Sequence, residues 1–322
     1  TWTVEDAAIM LQIIAGHDSR DPCTAKREVP DYKSALKEDL KGMRIGMVRH
    51  FYQRDTQADD TTVVAMEDAA QTLAELGATV VDVNLPPLAD YQAVTRVIIV
   101  SEAFAIHRES LLSKPELYSA VTRYRIMPGA LVSAVEYSNA LRFQRVLAKK
   151  TLRAMETVDA LFTATTYGPA PVQSQMRAEA NFAKPPLTGA FNAAQLPALS
   201  VCNGFTPEGL PLGMQIVGKP FDEATILRIG HAYERATKWR DIRPALKHPE
   251  SYEDPITTDV NLDTIDPTAL EQYRVRIESQ GMQLDEPQLA NLTEAMPHLE
   301  AMIERIPKDL EFEAVPSSVF SW

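Results

Sequence analysis

Three consecutive stretches decide the fold class: Met43-Arg44-Ile45-Gly46-Met47-Val48, the segment from Thr61 to Leu76, and Ala78-Thr79-Val80-Val81-Asp82-Val83-Asn84-Leu85. The first and third are short apolar runs of strand length, and the middle one reads as a helix closed by Gly77. Pro86-Pro87 ends the second strand, because proline cannot donate to a ladder. Strand, helix and strand joined by short links form a βαβ unit, whose default is a parallel sheet, so the chain is expected to be α/β. Such a unit carries no chemistry by itself.

Upstream, Thr3-Val4-Glu5-Asp6 reads as a capping box. Val4, Ala7, Ala8, Leu11 and Ile14 then follow helical spacing up to Gly16. Asp18-Ser19-Arg20-Asp21-Pro22 is a turn-rich loop. Downstream, the chain is helix-rich from about Tyr91 to Val158, and Ser133-Ala134-Val135-Glu136 caps a long amphipathic helix running through Arg153. Arg142, Arg145, Lys149, Lys150 and Arg153 are expected on its solvated face. Ala160 to Thr165 reads as a buried strand ending at Tyr167-Gly168-Pro169-Ala170-Pro171. Ala198 to Val201 and Leu212 to Val217 read as a hairpin across Pro207-Glu208-Gly209, and Asp222 as the cap of a helix reaching about Trp239. Residues 244–272, rich in proline and aspartate, read as a linker. Asp285-Glu286-Pro287 opens a helical tail, with Pro297 expected to kink or split it.

Composition excludes several function classes. The net charge is -12 over 322 residues, which opposes direct binding to nucleic-acid phosphates or anionic membranes. The longest apolar run, near Val97 to Val100, is too short to span a bilayer. Two distant cysteines, Cys23 and Cys202, build neither a disulfide framework nor a metal-type spacing, and a reducing, cytoplasmic setting is expected.

Single motifs give no complete catalytic constellation. The Gly-x-Ser-x-Gly elbow, the phosphate-binding loop and the dinucleotide-binding glycine pattern do not occur in the sequence. The six histidines are scattered; Glu102 and His107 are five apart, not the i, i+4 pair of a helical metal site. Neither metal nor cofactor is expected. Cys202, at the end of a strand, reads as a buried small hydrophobe.

Several segments in order resemble the amidase-signature family, which includes the A subunit of tRNA-dependent amidotransferases. They are Thr3-Val4-Glu5-Asp6-Ala7-Ala8, Ala15-Gly16-His17-Asp18 with Asp21-Pro22, and Leu40-Lys41-Gly42-Met43-Arg44-Ile45-Gly46. The best match comprises Phe191-Asn192, Pro197 to Val201, Gly209-Leu210-Pro211-Leu212-Gly213-Met214-Gln215 and Gly218-Lys219-Pro220-Phe221-Asp222-Glu223-Ala224. The resemblance implies an α/β/α sandwich, with a mixed sheet flanked by helices. It assigns residues 1–243 to the C-terminal part of that domain, and 273–322 to a helical tail similar to the small accessory chain of amidotransferases.

The family hydrolyses amides with a Ser-cis-Ser-Lys triad held in a serine- and glycine-rich segment, and no Gly-Gly-Ser-Ser-Gly-Gly-Ser run occurs here. No catalytic residue is therefore carried over. The expectation is a catalytically incomplete, inactive chain with an uncovered apolar surface and an unpaired strand edge. What does carry over is a pocket wall for a small-molecule amide. Arg125, in Arg125-Ile126-Met127-Pro128-Gly129, matches the position that binds a substrate carboxylate, and Tyr167, Phe191 and Asn192 lie on cleft loops. Gly189-Ala190 and Pro185 depart from the family pattern at positions that bear on a glutamine or asparagine substrate. A homodimer, or a role as an accessory subunit, is the expected partnership.

Overall fold

The computed structural model describes residues 1–172, 184–243 and 264–310. Helix α1 (Val4–Ile14) carries the expected capping box, with Thr3 and Asp6 exchanging side-chain and backbone bonds. The βαβ unit is β1 (Arg44–Met47), a short α2 (His50–Gln53), α3 (Asp60–Glu75) and β2 (Thr79–Asp82). β1 and β2 are parallel, with Ile45 opposite Val80. Long helices follow: α4 (Leu88–Ser113), α5 (Ala120–Ile126), a 3-10 turn at Met127–Leu131, and α6 (Ala134–Ala154), capped by Ser133 and Glu136. Then come β3 (Ala160–Ala164), α7 (Gly189–Ala194), the hairpin β4 (Ala198–Phe205) and β5 (Pro211–Val217), and α8 (Glu223–Ala236). The tail is α9 (Pro267–Glu278) and α10 (Glu286–Arg305).

The sheet order is β2-β1-β3-β5-β4. β3 is parallel to β1 and antiparallel to β5, so the sheet is mixed. Every residue of central β3 is buried, as a strand covered on both faces must be. The hairpin turn places Gly209 at φ +84°, which favours a residue without Cβ. α3 and α8 pack on the hairpin side of the sheet, and α4 packs against α6, α7 and α10.

Several boundaries differ from the sequence reading. β4 continues to Phe205, with an irregular register between Cys202 and Gly204. α8 stops at Ala236, where Thr237 turns extended, short of Trp239. Asp222 precedes α8, but its carboxylate accepts from the Thr225 hydroxyl at 2.8 Å instead of capping a backbone amide. Ile14 lies outside the packed stripe of α1 and is 70% exposed. On α6, Lys149, Lys150 and Arg153 face solvent, whereas Arg142 and Arg145 are half-buried, and Arg142 donates to the Leu310 carbonyl. Helix α9 already begins at Pro267, inside the stretch read as linker; residues 244–263 and 311–322 lie outside the described residues. Pro297 does not split α10, which stays one helix because its buried face, Leu289, Leu292, Met296 and Leu299, is held in the core on both sides of the proline.

Candidate functional site

The four residues expected to line a pocket stand on three separate pieces of scaffold. Arg125 lies on α5, exposed, with no hydrogen bond or ion pair among the described residues. Its position is set by Gly129, four residues on. A Cβ there would fall 2.0 Å from the Val100 carbonyl oxygen of α4, so backbone meets backbone at this crossing. The same crossing brings α4 residue Arg96, half-buried, near Arg125. Burial first, and then the charge of Arg125, press the Arg96 guanidinium below its ordinary pKa. One signal for Arg96 is present in the sequence: a lone cation inside the apolar run from Val94 to Val100.

Tyr167 follows β3 on a pinned loop. Its carbonyl accepts from the Asp59 amide at 2.8 Å, and a Cβ on Gly168 would strike the Asp59 carboxylate at 2.1 Å. The Tyr167 hydroxyl donates to the Pro185 carbonyl, and the Lys184 ammonium lies 5.6 Å from the ring centroid. Burial pushes the phenol above its usual pKa, so it serves as a neutral donor. Phe191 and Asn192 are neighbours on α7 with opposite fates. Phe191 is 1% exposed, with its ring 6.2 Å from that of Phe51, so it supports the wall from within the core instead of offering it a surface. Asn192 faces solvent. Among the described residues, no hydrogen bond, ion pair or ring contact joins Arg125 to Tyr167, Phe191 or Asn192. A cavity of about 910 Å³ lies between the end of α4, α5 and the start of α10, lined by residues such as Leu111, Arg123, Tyr124, Met282 and Leu292 but by none of these four.

The other chemical candidates are engaged. Glu102 accepts from the Tyr137 hydroxyl at 2.8 Å, while His107 pairs with the Tyr118 hydroxyl at 3.0 Å. Cys202 is half-buried, less enclosed than expected. Burial pushes its thiol up, away from the thiolate a cysteine nucleophile needs. Among the described residues, no lysine hydrogen-bonds a serine; Ser200 sits 3.4 Å from the Thr165 hydroxyl. None of the described helices is long and apolar enough to cross a membrane.

Residues 1–227 match the family described as Amidase. The chain belongs to the amidase-signature family. It is 33% identical over 259 residues to an amidase from Pseudomonas putida, covering 76% of this chain and 54% of that protein. It is 35% identical over 270 residues to the A subunit of glutamyl-tRNA(Gln) amidotransferase from Thermosynechococcus vestitus, covering 76% of this chain and 56% of that protein. The crystal structure of the corresponding protein from Thermotoga maritima superposes with a TM-score of 0.56 at 30% identity, over 73% of this chain and 51% of that one. The chain thus spans about half the length of the relatives it matches. The amidase-signature α/β sandwich matches the mixed, helix-flanked sheet described above.

Proposed function

We propose that this chain is the substrate-recognising part of an amidase that hydrolyses a carbon–nitrogen bond in a small amide carrying an anionic group. The observation that carries the reading is the exposed Arg125, unengaged among the described residues and backed by Arg96 at the fixed crossing of α5 and α4. A guanidinium fork there would hold a carboxylate through paired hydrogen bonds, with Asn192 and the Tyr167 loop as further walls. In the relatives' chemistry a serine oxygen attacks the amide carbon, the amine leaves with a proton, and water then frees the acid from the acyl-serine. Residues 1–322 contain no serine- and glycine-rich triad segment, so the chain by itself binds without hydrolysing. The reducing cytoplasm suits its two unpaired cysteines.

The test is a panel of glutamine, aryl amides and carboxylated ureas offered to the purified chain. Turnover at the uncatalysed rate is expected, together with a thermal upshift by the carboxylated compounds that Arg125→Met abolishes. Robust hydrolysis would overturn the incomplete-site reading. An upshift unchanged in Arg125→Met would overturn the anion wall.

A second reading, in which the chain is an assembly or accessory subunit of a homodimer or of a larger amidotransferase-like complex, is favoured by α9 and α10. These helices lie beyond the matched residues and pack on α4 and the turn after α5. A monomer at high concentration that recruits no partner would count against it.

A further inference from the structure

The cavity of about 910 Å³ beside α5 has walls from two parts of the chain. Leu111, Leu112, Tyr124 and Met127 belong to the part that matches the amidase family, and Met282 and Leu292 to the tail beyond it. Its size falls in the range of small-ligand pockets, roughly 300–1,000 Å³, and a mainly apolar lining with a few polar groups is what such pockets have. The polar group that stands out is Arg123, which is half-buried. Its Nη1 donates to the Pro115 carbonyl at 3.0 Å, its Nε is buried without a partner, and it forms no ion pair among the described residues. A guanidinium partly withdrawn from water, with one neutral acceptor, is short of a counter-ion. The two acids of the lining, Glu278 and Asp285, are exposed, and Asp285 is engaged in capping α10, where it accepts the Gln288 amide at 2.8 Å. These acids repel a ligand with several negative charges, so one carboxylate is the fitting complement.

Arg123 and Arg125 are two residues apart on α5. A rotation of about 200° separates them, so they point to nearly opposite sides of the helix. The cavity is therefore separate from the Arg125 wall. The geometry points to a second binding site, for a small monocarboxylate with an apolar body, such as an arylalkanoate. Its carboxylate pairs with Arg123 through charge-assisted hydrogen bonds, and its body packs on Leu111, Met282, Leu292 and the Tyr124 ring. Such a ligand touches α4, α5 and the tail at once, so it binds only where the tail is docked and stabilises that docked state by mass action. This site stands whether or not Arg125 holds a substrate.

The experiment titrates phenylbutyrate, and the neutral phenylbutanol as control, into the purified 322-residue chain by calorimetry, with thermal melting alongside. Saturable binding of phenylbutyrate is expected, with a melting temperature raised by about 4 °C at a hundredfold excess over Kd. Phenylbutanol should bind at least about tenfold more weakly, and Arg123→Met should weaken phenylbutyrate by a similar factor. Leu112→Glu sets a like charge on the lining at a position 38% exposed, so it should also weaken binding about tenfold while keeping the parent's circular dichroism and unliganded melting temperature. That variant decides the matter where Arg123→Met fails to fold. Arg125→Met should change the Kd by less than about twofold. Absence of saturable binding would overturn the site, and so would equal binding of the alcohol or binding unchanged in Leu112→Glu. Binding lost in Arg125→Met and kept in Arg123→Met would move the carboxylate to the outer face of α5 and overturn it too. Binding that appears only once residues 311–322 are removed would give the cavity to the chain's own carboxyl end instead of a small molecule.

Discussion

Replacing Gly129 with alanine tests the crossing that positions Arg125. Gly129 is buried in the turn after α5. A Cβ there would meet the Val100 carbonyl oxygen at 2.0 Å, its carbonyl carbon at 2.6 Å and the Phe104 Cβ at 2.8 Å. Ordinary contacts begin near 3.4 Å, and two of the three obstacles are backbone atoms in the interior of α4 that no rotamer change can move. Overpacking of this kind costs about 1–3 kcal/mol. Displacing the Val100 carbonyl also weakens the helical hydrogen bond it accepts, about 1 kcal/mol more. The sum, about 3 kcal/mol, lowers the melting temperature of a chain this size by roughly 4–5 °C. The control is Gly281→Ala. Its φ of +77° disfavours alanine, but nothing lies within 4 Å, so only backbone strain of about 1 kcal/mol applies there, whereas Gly129 is opposed by contact alone. Urea unfolding followed by circular dichroism measures both. Carboxylate-induced stabilisation should fall in Gly129→Ala, since Arg125 separates from Arg96, and persist in Gly281→Ala. A Gly129→Ala protein within about 0.5 kcal/mol of the parent would refute the α4 contact and the placement of Arg125 derived from it.

Three further outcomes follow from the same structure. Glu234 is buried and accepts the Val4 amide through both carboxylate oxygens at 3.2 Å, so Glu234→Ala should cost about 1–3 kcal/mol and speed hydrogen exchange in α1 before other helices. His50 is buried and burial lowers its pKa below 6.5, so the folded state resists a proton that the unfolded state accepts. Its contribution is complete above pH 6.5 and is lost as pH falls towards the depressed folded value; His50→Gln should flatten stability against pH in that window, and an unchanged slope would rule the residue out. For the thiols, Cys23 is exposed and Cys202 half-buried with a raised pKa, so a thiol reagent at neutral pH should titrate one group quickly and the second only after denaturation, with Cys23→Ser removing the fast phase.

What the sequence made legible is what local spacing encodes. Alternating turn and strand chemistry around Gly209 specifies the hairpin, and the capping boxes at Thr3 and Ser133 specify two helix starts, because each depends on residues within a few positions of one another. The pairing of β1 with β3 joins residues more than a hundred positions apart, Ile45 with Ala160, and no local signal specifies it. The site shows the same limit. Phe191 and Asn192 are adjacent in sequence, yet a rotation of about 100° per residue sends one into the core and the other to solvent, and only the packing of α7 on α4 decides which. Arg96 shows in the sequence only as a lone cation in an apolar run, which by itself reads as an arginine reaching water along its stem; its place beside Arg125 comes from Gly129, whose missing Cβ lets the two backbones close. Helix α1 holds the converse lesson. Its all-round apolar sequence is legible as composition, but the choice between an inner and an outer face requires α8 in place. Once α8 covers Val4 and Ala8, the choice is made, and Ile9, Met10, Ile13 and Ile14 are the side chains left on the outer face.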